Sequence, residues 1–216
     1  MPTPDSRFPT QLLRDQPDLS PPDQLAHDWT LFRAAEDGSA SETLRFWETI
    51  HPAVVVGRGG RISDEVRDQT CTADGVPILR RCSGGGAVVL GPGSLNYALV
   101  LSLVQRPELV DVRRSYRIIL GRLAEALAVP NLTFSGTSDL ALGTRKVSGN
   151  AQRRGTRALL HHGTLLYAFD PRLSERYLKE PRRQPPYRGR RPHADFLTNL
   201  PLSAAAIRER ITRAWL

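Results

Sequence analysis

The segment Arg80-Arg81-Cys82-Ser83-Gly84-Gly85-Gly86-Ala87-Val88 places three consecutive glycines between two short strand-like runs, residues 77–81 and 87–90. Glycine lets the backbone come close to a ligand and turn its N–H groups toward an anion. Arg80 and Arg81 add charge and fork-shaped donors that suit phosphate or carboxylate. Three glycines alone describe a hairpin; with the arginine pair attached, Arg80, Arg81, Ser83, Gly84, Gly85 and Gly86 become candidates for anion binding. The segment lacks the Gly-Lys-Ser/Thr of a P-loop, and it lacks the glycine spacing and following helix of a dinucleotide fingerprint.

Working outward, short strands and helices succeed one another without regular alternation. Leu25, Trp29 and Phe32 fall at i, i+4 and i+7, which predicts a helix after Pro21-Pro22. Residues 43–47 and 53–56 read as strands. Gly57-Arg58-Gly59-Gly60 ends the second of them, and Ser63-Asp64-Glu65 starts a helix that should run to about Asp74-Gly75. A strand over 95–103 follows the Gly91-Pro92-Gly93 turn, then a long helix over 108–128 and strands over 139–142, 145–148 and 158–169. Residues 181–192 read as a solvated loop or mobile flap, and a short helix over 202–215 closes the chain. This order predicts an α+β fold with mixed, largely antiparallel sheet flanked by helices. Residues 1–22 read as a flexible arm and residues 23–216 as one folded domain.

Two further stretches carry chemistry. In Lys146-Val147-Ser148-Gly149-Asn150-Ala151, strand alternation puts Lys146 and Ser148 on one face, while Gly149 and Ala151 leave room for a ligand. Of the 30 Lys and Arg residues only Lys146 and Lys179 are lysine, so a lysine here marks a place where a compact charge is needed. In Leu159-Leu160-His161-His162-Gly163-Thr164, adjacent histidines on a strand point to opposite faces and do not share a metal; no zinc motif is present and no metal ligand is assigned. His162 is expected to line a pocket and His161 to be structural. Cys71 and Cys82 form no motif, and Cys82 reads as a spectator thiol beside the glycines.

Composition excludes other classes. Hydrophobic residues are 40% and charged residues 24%, as in soluble globular proteins. No apolar run approaches the ~18–20 residues of a membrane span, and no secretory signal opens the chain, which suggests the cytoplasm. The net charge of +8 favours an acidic partner.

Taken together, Arg-Arg-x-Ser-Gly-Gly-Gly-Ala-Val, Lys-x-Ser-Gly-Asn-Ala-Gln and His-His-Gly-Thr-Leu-Leu, in this order, resemble the lipoate–protein ligase A family, with its biotin/lipoate ligase-like catalytic domain. The likeness covers roughly residues 24–200 and includes Leu44-Arg45-Phe46-Trp47 and Val54-Val55-Val56-Gly57-Arg58. It implies that ATP, accompanied by Mg2+, activates lipoate or octanoate to an acyl-adenylate, and that the acyl group passes to a lysine of a lipoyl domain. Lys146 would match the lysine that touches both acid and phosphate. Arg81 and Gly86-Ala87-Val88-Val89 would match nucleotide-binding positions. Gly149, Ala151, His162 and Gly163 would line the acyl tunnel. The implied partners are acidic lipoyl-domain proteins, namely 2-oxoacid dehydrogenase E2 subunits and the glycine cleavage H protein, and the positive charge suits them better than nucleic acid.

Where the family often writes His-Asp after the glycine stretch, this chain has Leu90-Gly91-Pro92-Gly93. It ends at Leu216, ahead of the small C-terminal domain of full-length ligases. A separate accessory subunit, or a ready-made donor such as an acyl carrier protein, is therefore expected, with a monomer as the default. An octanoyl transferase is the nearest alternative, but residues 133–139 lack the cysteine of its cysteine-dependent branch. Gly57-Arg58-Gly59-Gly60-Arg61 resembles the basic loop of biotin ligases, while the other motifs fit the lipoate branch better. A non-catalytic binder using Arg182, Arg183, Arg188, Arg190 and Arg191 is the remaining alternative.

Overall fold

The computed structural model describes residues 11–13, 16 and 18–216; the remainder of the expected N-terminal arm lies outside the described residues. In chain order the elements are β1 (Gln11–Leu12), α1 (Pro21–Glu36), β2 (Thr43–Trp47), β3 (Ala53–Val56), α2 (Ile62–Glu65), α3 (Asp68–Ala73), β4 (Ile78–Arg80), β5 (Val88–Leu90), β6 (Ser94–Ser102), α4 (Val112–Leu127), β7 (Leu132–Ser135), β8 (Asp139–Leu142), β9 (Arg145–Arg154), β10 (Ala158–Leu166), α5 (Arg172–Tyr177), α6 (His193–Phe196) and α7 (Ala204–Trp215).

Seven strands form one sheet in the order β1-β2-β6-β10-β9-β8-β7, antiparallel except where β1 runs parallel to β2. β4-β3-β5 form a second sheet, parallel on one side of β3 and antiparallel on the other. The expected mixed, largely antiparallel α+β architecture is what forms.

Strand β6 shows why the large sheet sits at the centre. Its run SLNYALVLS is almost wholly buried, because both faces are covered. Leu95, Tyr97, Leu99 and Leu101 face the core built with Ile119, Leu120, Leu123 and Leu127 of α4 and with Ile207, Ile211 and Trp215 of α7. Ala98 and Val100 face the other way, onto Phe32 of α1. Helix α4 is set by its ends: Asp111 accepts the Arg114 N–H at 2.7 Å, and Ala128 closes it in a left-handed conformation. The turn before β6 requires glycine, since Gly93 has φ +81° and a Cβ there would sit 2.1 Å from the Ala168 carbonyl carbon.

Three expectations fail for local reasons. The single helix predicted from Ser63 is two short ones, because Val66, fully buried, makes an antiparallel bridge to Leu178 and leaves helical geometry. Strand β7, not foreseen, pairs with β8 at the sheet's edge. Residues 181–192 are not simply a solvated flap: Arg188 is 4% exposed, lies over the Phe196 ring and pairs with Glu180 at 2.6 Å.

Two outcomes test this packing. Leu123→Ala should lower the unfolding free energy by about 2–5 kcal/mol, seen as a lower urea midpoint at unchanged slope. A loss far below that would contradict its core position. Glu36, at the end of α1, accepts from the N–H groups of Thr156, Arg157 and Ala158 and from the Thr156 hydroxyl. Burial alone would raise its carboxyl pKa, but these donors prevail and hold it at about 2 against an ordinary 4.5. A depressed folded pKa contributes stability above the unfolded value and loses it as pH falls toward the folded one. Glu36→Gln should therefore flatten the fall in stability between pH 4.5 and about 2, and equal profiles would rule this out.

Candidate active site

Residues from both sheets line a cavity of about 600 Å³. The glycine segment forms part of its wall as the connection from β4 to β5. Gly85 sits at φ +90°, and a Cβ on Gly57 would stand 2.1 Å from the Gly85 carbonyl oxygen, so the loop lies directly against the end of β3.

The arginine pair behaves differently from expectation. Arg80 donates through Nη1 to the carbonyls of Gly57 at 2.6 Å, Gly60 at 3.0 Å and Arg58 at 3.2 Å. Arg81 is buried and donates to the carbonyls of Gly84 at 2.6 Å, Gly86 at 2.9 Å and Val55 at 3.2 Å, and to Ser83 Oγ at 3.1 Å. Arg80 thus fixes the 57–60 turn after β3, and Arg81 fixes the glycine loop. Burial lowers the Arg81 pKa, but a guanidinium remains charged. The N–H groups of Gly84, Gly85 and Gly86 meet no acceptor among the described residues. Beside them Ala87, Val88 and Val89 line the cavity.

Lys146 enters the same cavity from β9. Its Nζ is 2.8 Å from Asp139 Oδ1 of β8, and Tyr187 donates its hydroxyl proton to Asp139 Oδ2 at 2.7 Å. Burial, and then the Asp139 charge, push the Tyr187 pKa up, so this proton stays on the phenol. The β8–β9 pairing is bulged: Leu140 opposes Ser148 and Ala141 opposes Lys146, leaving Val147 over as a buried core residue. Lys146 and Ser148 both line the cavity, as the alternation requires. A Cβ on Gly149 would stand 2.7 Å from Lys146 Nζ, so that glycine makes room for the lysine tip itself. Gly163 makes room for Asn150, whose Oδ1 would lie 1.8 Å from a Cβ there. Asn150 Oδ1 in turn accepts from the Tyr97 hydroxyl at 2.6 Å. Ala151 completes this part of the wall.

The two histidines face opposite sides of the sheet. His161 is fully buried, with Nε2 3.0 Å from the Tyr97 hydroxyl and Nδ1 3.1 Å from Gln152 Nε2. Burial, then the neighbouring His162, lower its pKa to about 3, so it is a neutral structural group at pH 7. His162 lines the cavity. Its Nε2 is 2.6 Å from Ser83 Oγ, and its Nδ1 is 3.5 Å from Asp28 Oδ2. Asp28 Oδ1 accepts from Arg45 Nη1 at 2.5 Å, with both partners buried. Cys82 does not line this cavity; burial raises its thiol pKa to about 11. Cys71 is fully buried in the core around Val54 and Val66.

Sequence reasoning missed Asp28, Asp139, Glu65 and Asn150. Asp28 had a signal, for it falls one turn before Phe32 on the helix face that carries the apolar residues. Glu65 had none at long range, yet its carboxylate accepts the Ala87 N–H across the mouth of the glycine loop. Among the described residues no helix is long and apolar enough to cross a membrane.

Comparison with known proteins agrees with this arrangement. Residues 20–213 match the family model of the lipoyl protein ligase A/B catalytic domain. A protein of Aeropyrum pernix provisionally named a lipoate-protein ligase A is 33% identical over 145 residues, covering 65% of this chain and 51% of that one. An octanoyl-[GcvH]:protein N-octanoyltransferase of Kyrpidia tusciae is 29% identical over 195 residues, covering 81% of this chain and 67% of that one. The chain thus spans between half and two thirds of the length of these relatives. In fold it is similar to the bipartite lipoate protein ligase of Thermoplasma acidophilum, with a TM-score of 0.79 at 22% identity over 96% of this chain and 82% of that one. It is also similar to a lipoate-protein ligase A solved with ATP, with a TM-score of 0.77 at 22% identity over 95% and 83%. This chain belongs to the lipoyl protein ligase A/B catalytic-domain family.

Proposed function

We propose that this chain attaches lipoate or octanoate to a lysine of an acidic lipoyl-domain protein through an acyl-adenylate made from ATP. The carrying observation is the placement of Lys146. Its side chain is 24% exposed and lines a cavity that also holds apolar strand residues and Gly85 and Gly86, whose N–H groups meet no acceptor among the described residues. Val55, Trp47, Leu90 and Leu166 offer an apolar wall for an eight-carbon chain. Arg81 and the glycine N–H groups supply fixed positive charge for phosphate.

In the first half-reaction a carboxylate oxygen attacks the α-phosphorus of ATP, and diphosphate leaves. Lys146 bridges the carboxylate and the α-phosphate, where negative charge builds up in the transition state. In the second, the ε-amine of the acceptor lysine attacks the acyl carbonyl and AMP leaves. Mg2+ would accompany the nucleotide phosphates and neutralise part of their charge; Glu65, a carboxylate lining the cavity, would be its one nearby protein oxygen donor, which suits an ion that keeps several waters and needs few protein ligands. The 2-oxoacid dehydrogenase E2 subunits and the glycine cleavage H protein are the acceptor class, with an accessory subunit as a further partner.

One observation favours a second reading, ATP-independent transfer from an octanoylated carrier: the octanoyltransferase match covers more of both chains than the ligase match. In that case Lys146 would polarise the acyl carbonyl directly. No cysteine lines the cavity, so a thioester on this chain is not part of either route.

ATP–diphosphate exchange separates the two. With Mg2+ and lipoate or octanoate, exchange is expected, and Lys146→Ala should reduce it by about 10²–10³-fold. Absence of exchange with either acid, together with octanoyl transfer from an octanoylated carrier protein in the absence of ATP, would overturn the ligase reading in favour of the second.

A further inference from the structure

Behind the glycine loop is a second, smaller cavity of about 240 Å³. Arg58, Arg153 and Arg154 line it, together with Cys82, Gly84 and Gln152, and no carboxylate does. It therefore has one wall in common with the acyl cavity, the loop itself, but a different set of charges.

The three arginines are unusual for this molecule. The buried guanidinium groups of Arg45, Arg106 and Arg188 are each matched by a carboxylate, Asp28, Glu42 and Glu180, and that of Arg81 by loop carbonyls, whereas here Arg58 is exposed and Arg153 and Arg154 are half-buried. Arg58 and Arg153 form no ion pair or hydrogen bond through their side chains among the described residues. The Nε of Arg153 is buried and has no hydrogen-bond partner, while the guanidinium rests on the face of Trp29, 5.6 Å from the ring centroid. That stacking fixes the plane and leaves the N–H edge to point elsewhere. Arg154 bonds only neutral acceptors: the carbonyls of Leu109 and Val110, Gln152 and Ser115. Those bonds orient it without cancelling its charge. Gly84 adds an N–H with no acceptor among the described residues, and nothing stands within 4 Å of where its Cβ would be.

Three like charges converging on one cavity repel each other, and a buried donor without a partner costs about 1–3 kcal/mol. A multiply charged oxyanion relieves both. Planar guanidinium edges converging with a backbone N–H are the donor set that tetrahedral phosphate oxygens take. We propose that the cavity behind the glycine loop binds a phosphate or diphosphate group, at a site separate from the acyl cavity. The ligand contacts Gly84 and lies beside Ser83, whose hydroxyl reaches His162 in the acyl cavity, so its occupancy stiffens a loop that both cavities use. This assignment stands apart from the choice between ATP and a carrier as acyl source.

Isothermal titration of inorganic diphosphate into the whole protein tests it. A diphosphate-binding event is expected in the wild type that persists in Lys146→Ala, apart from any diphosphate the acyl cavity takes. Arg153→Gln and Arg58→Gln should each weaken it by about tenfold or more. Arg113→Gln, on the exposed side of α4, serves as the control for general charge loss and should not change it. Thermal unfolding confirms that each variant is folded. Absence of binding in the wild type overturns the proposal. So does binding that Lys146→Ala abolishes and Arg153→Gln leaves intact, which places the anion in the acyl cavity, and so does an equal loss in Arg113→Gln. Displacement of bound diphosphate by ATP or by phosphopantetheine then identifies which phosphate carrier occupies the site.

Discussion

The buried guanidinium of Arg81 is the constraint on which the rest of the site depends. A glycine triplet has little conformational preference of its own, and folding it into one shape costs more backbone entropy than any other sequence would. Arg81 offsets that cost by gathering the carbonyls of Gly84 and Gly86, the Ser83 hydroxyl and the carbonyl of Val55 around one planar fork. The acceptors are dipoles rather than carboxylates. They fix the side chain without neutralising it, so a full positive charge persists behind the loop, next to N–H groups that point at no acceptor. The donors are thereby fixed in place in advance, which is the condition for electrostatic stabilisation without reorganisation if the loop binds an anion as proposed.

Lys146 follows a complementary logic. An ammonium group alone in an apolar cavity would pay a large desolvation penalty or lose its proton. Asp139 at 2.8 Å offsets that penalty, and Tyr187 holds Asp139 in place by occupying its other oxygen. Tyr187 belongs to the segment read from sequence as a solvated flap, so that segment takes part in positioning the lysine. The bulge at Val147 is the local device that makes this possible, for it drives Val147 into the core and turns Lys146 out beside Asp139. On the proposed role, a lysine suits this place where 28 arginines serve elsewhere, because a point charge can exchange its carboxylate partner for a substrate's oxygens without moving a planar fork.

What was legible in the sequence was local. β2, β3 and β8 follow from β-branched and alternating runs, and α1, α4 and α7 from apolar spacing, so those elements fall where the pattern puts them. The motif residues that meet at the cavity were legible as a set because each carried a residue type its surroundings did not explain: three glycines, one lysine, a His-His pair. The partners that make them work were not legible. Asp28 is 134 residues from His162, and Glu65 is 22 from Ala87. Their contacts arise only when α1 and the small sheet close over the large one. The partners of Arg80 and Arg81 were equally hidden: Arg80 is held by carbonyls of residues 57–60 and Arg81 by those of Val55, Gly84 and Gly86. The split of α2 from α3 was hidden for the same reason, since a helical pattern gives no hint that Leu178 will bridge Val66.

Asp28, His162 and Ser83 have the order and two of the contacts of a hydrolytic triad, yet the details assign them another task. Arg81 Nε donates to Ser83 Oγ, which also lies 2.6 Å from His162 Nε2, and the other imidazole nitrogen, Nδ1, is 3.5 Å from Asp28 Oδ2. A hydroxyl oxygen already accepting a charged donor is a weaker nucleophile, and Ser83 is 1% exposed, with no path to an acyl carbon. Asp28, for its part, is engaged at 2.5 Å by Arg45 and stands 3.5 Å from the imidazole, which favours the ion pair over the histidine. The chain of contacts is therefore a brace running from β2 through α1 and β10 to the glycine loop. Such a brace would suit the proposed acyl transfer better than a triad would. On the proposed reaction, an activated acyl group held beside a competent serine would be lost to the serine and then to water, whereas one held beside a tethered serine would survive until an acceptor amine arrived.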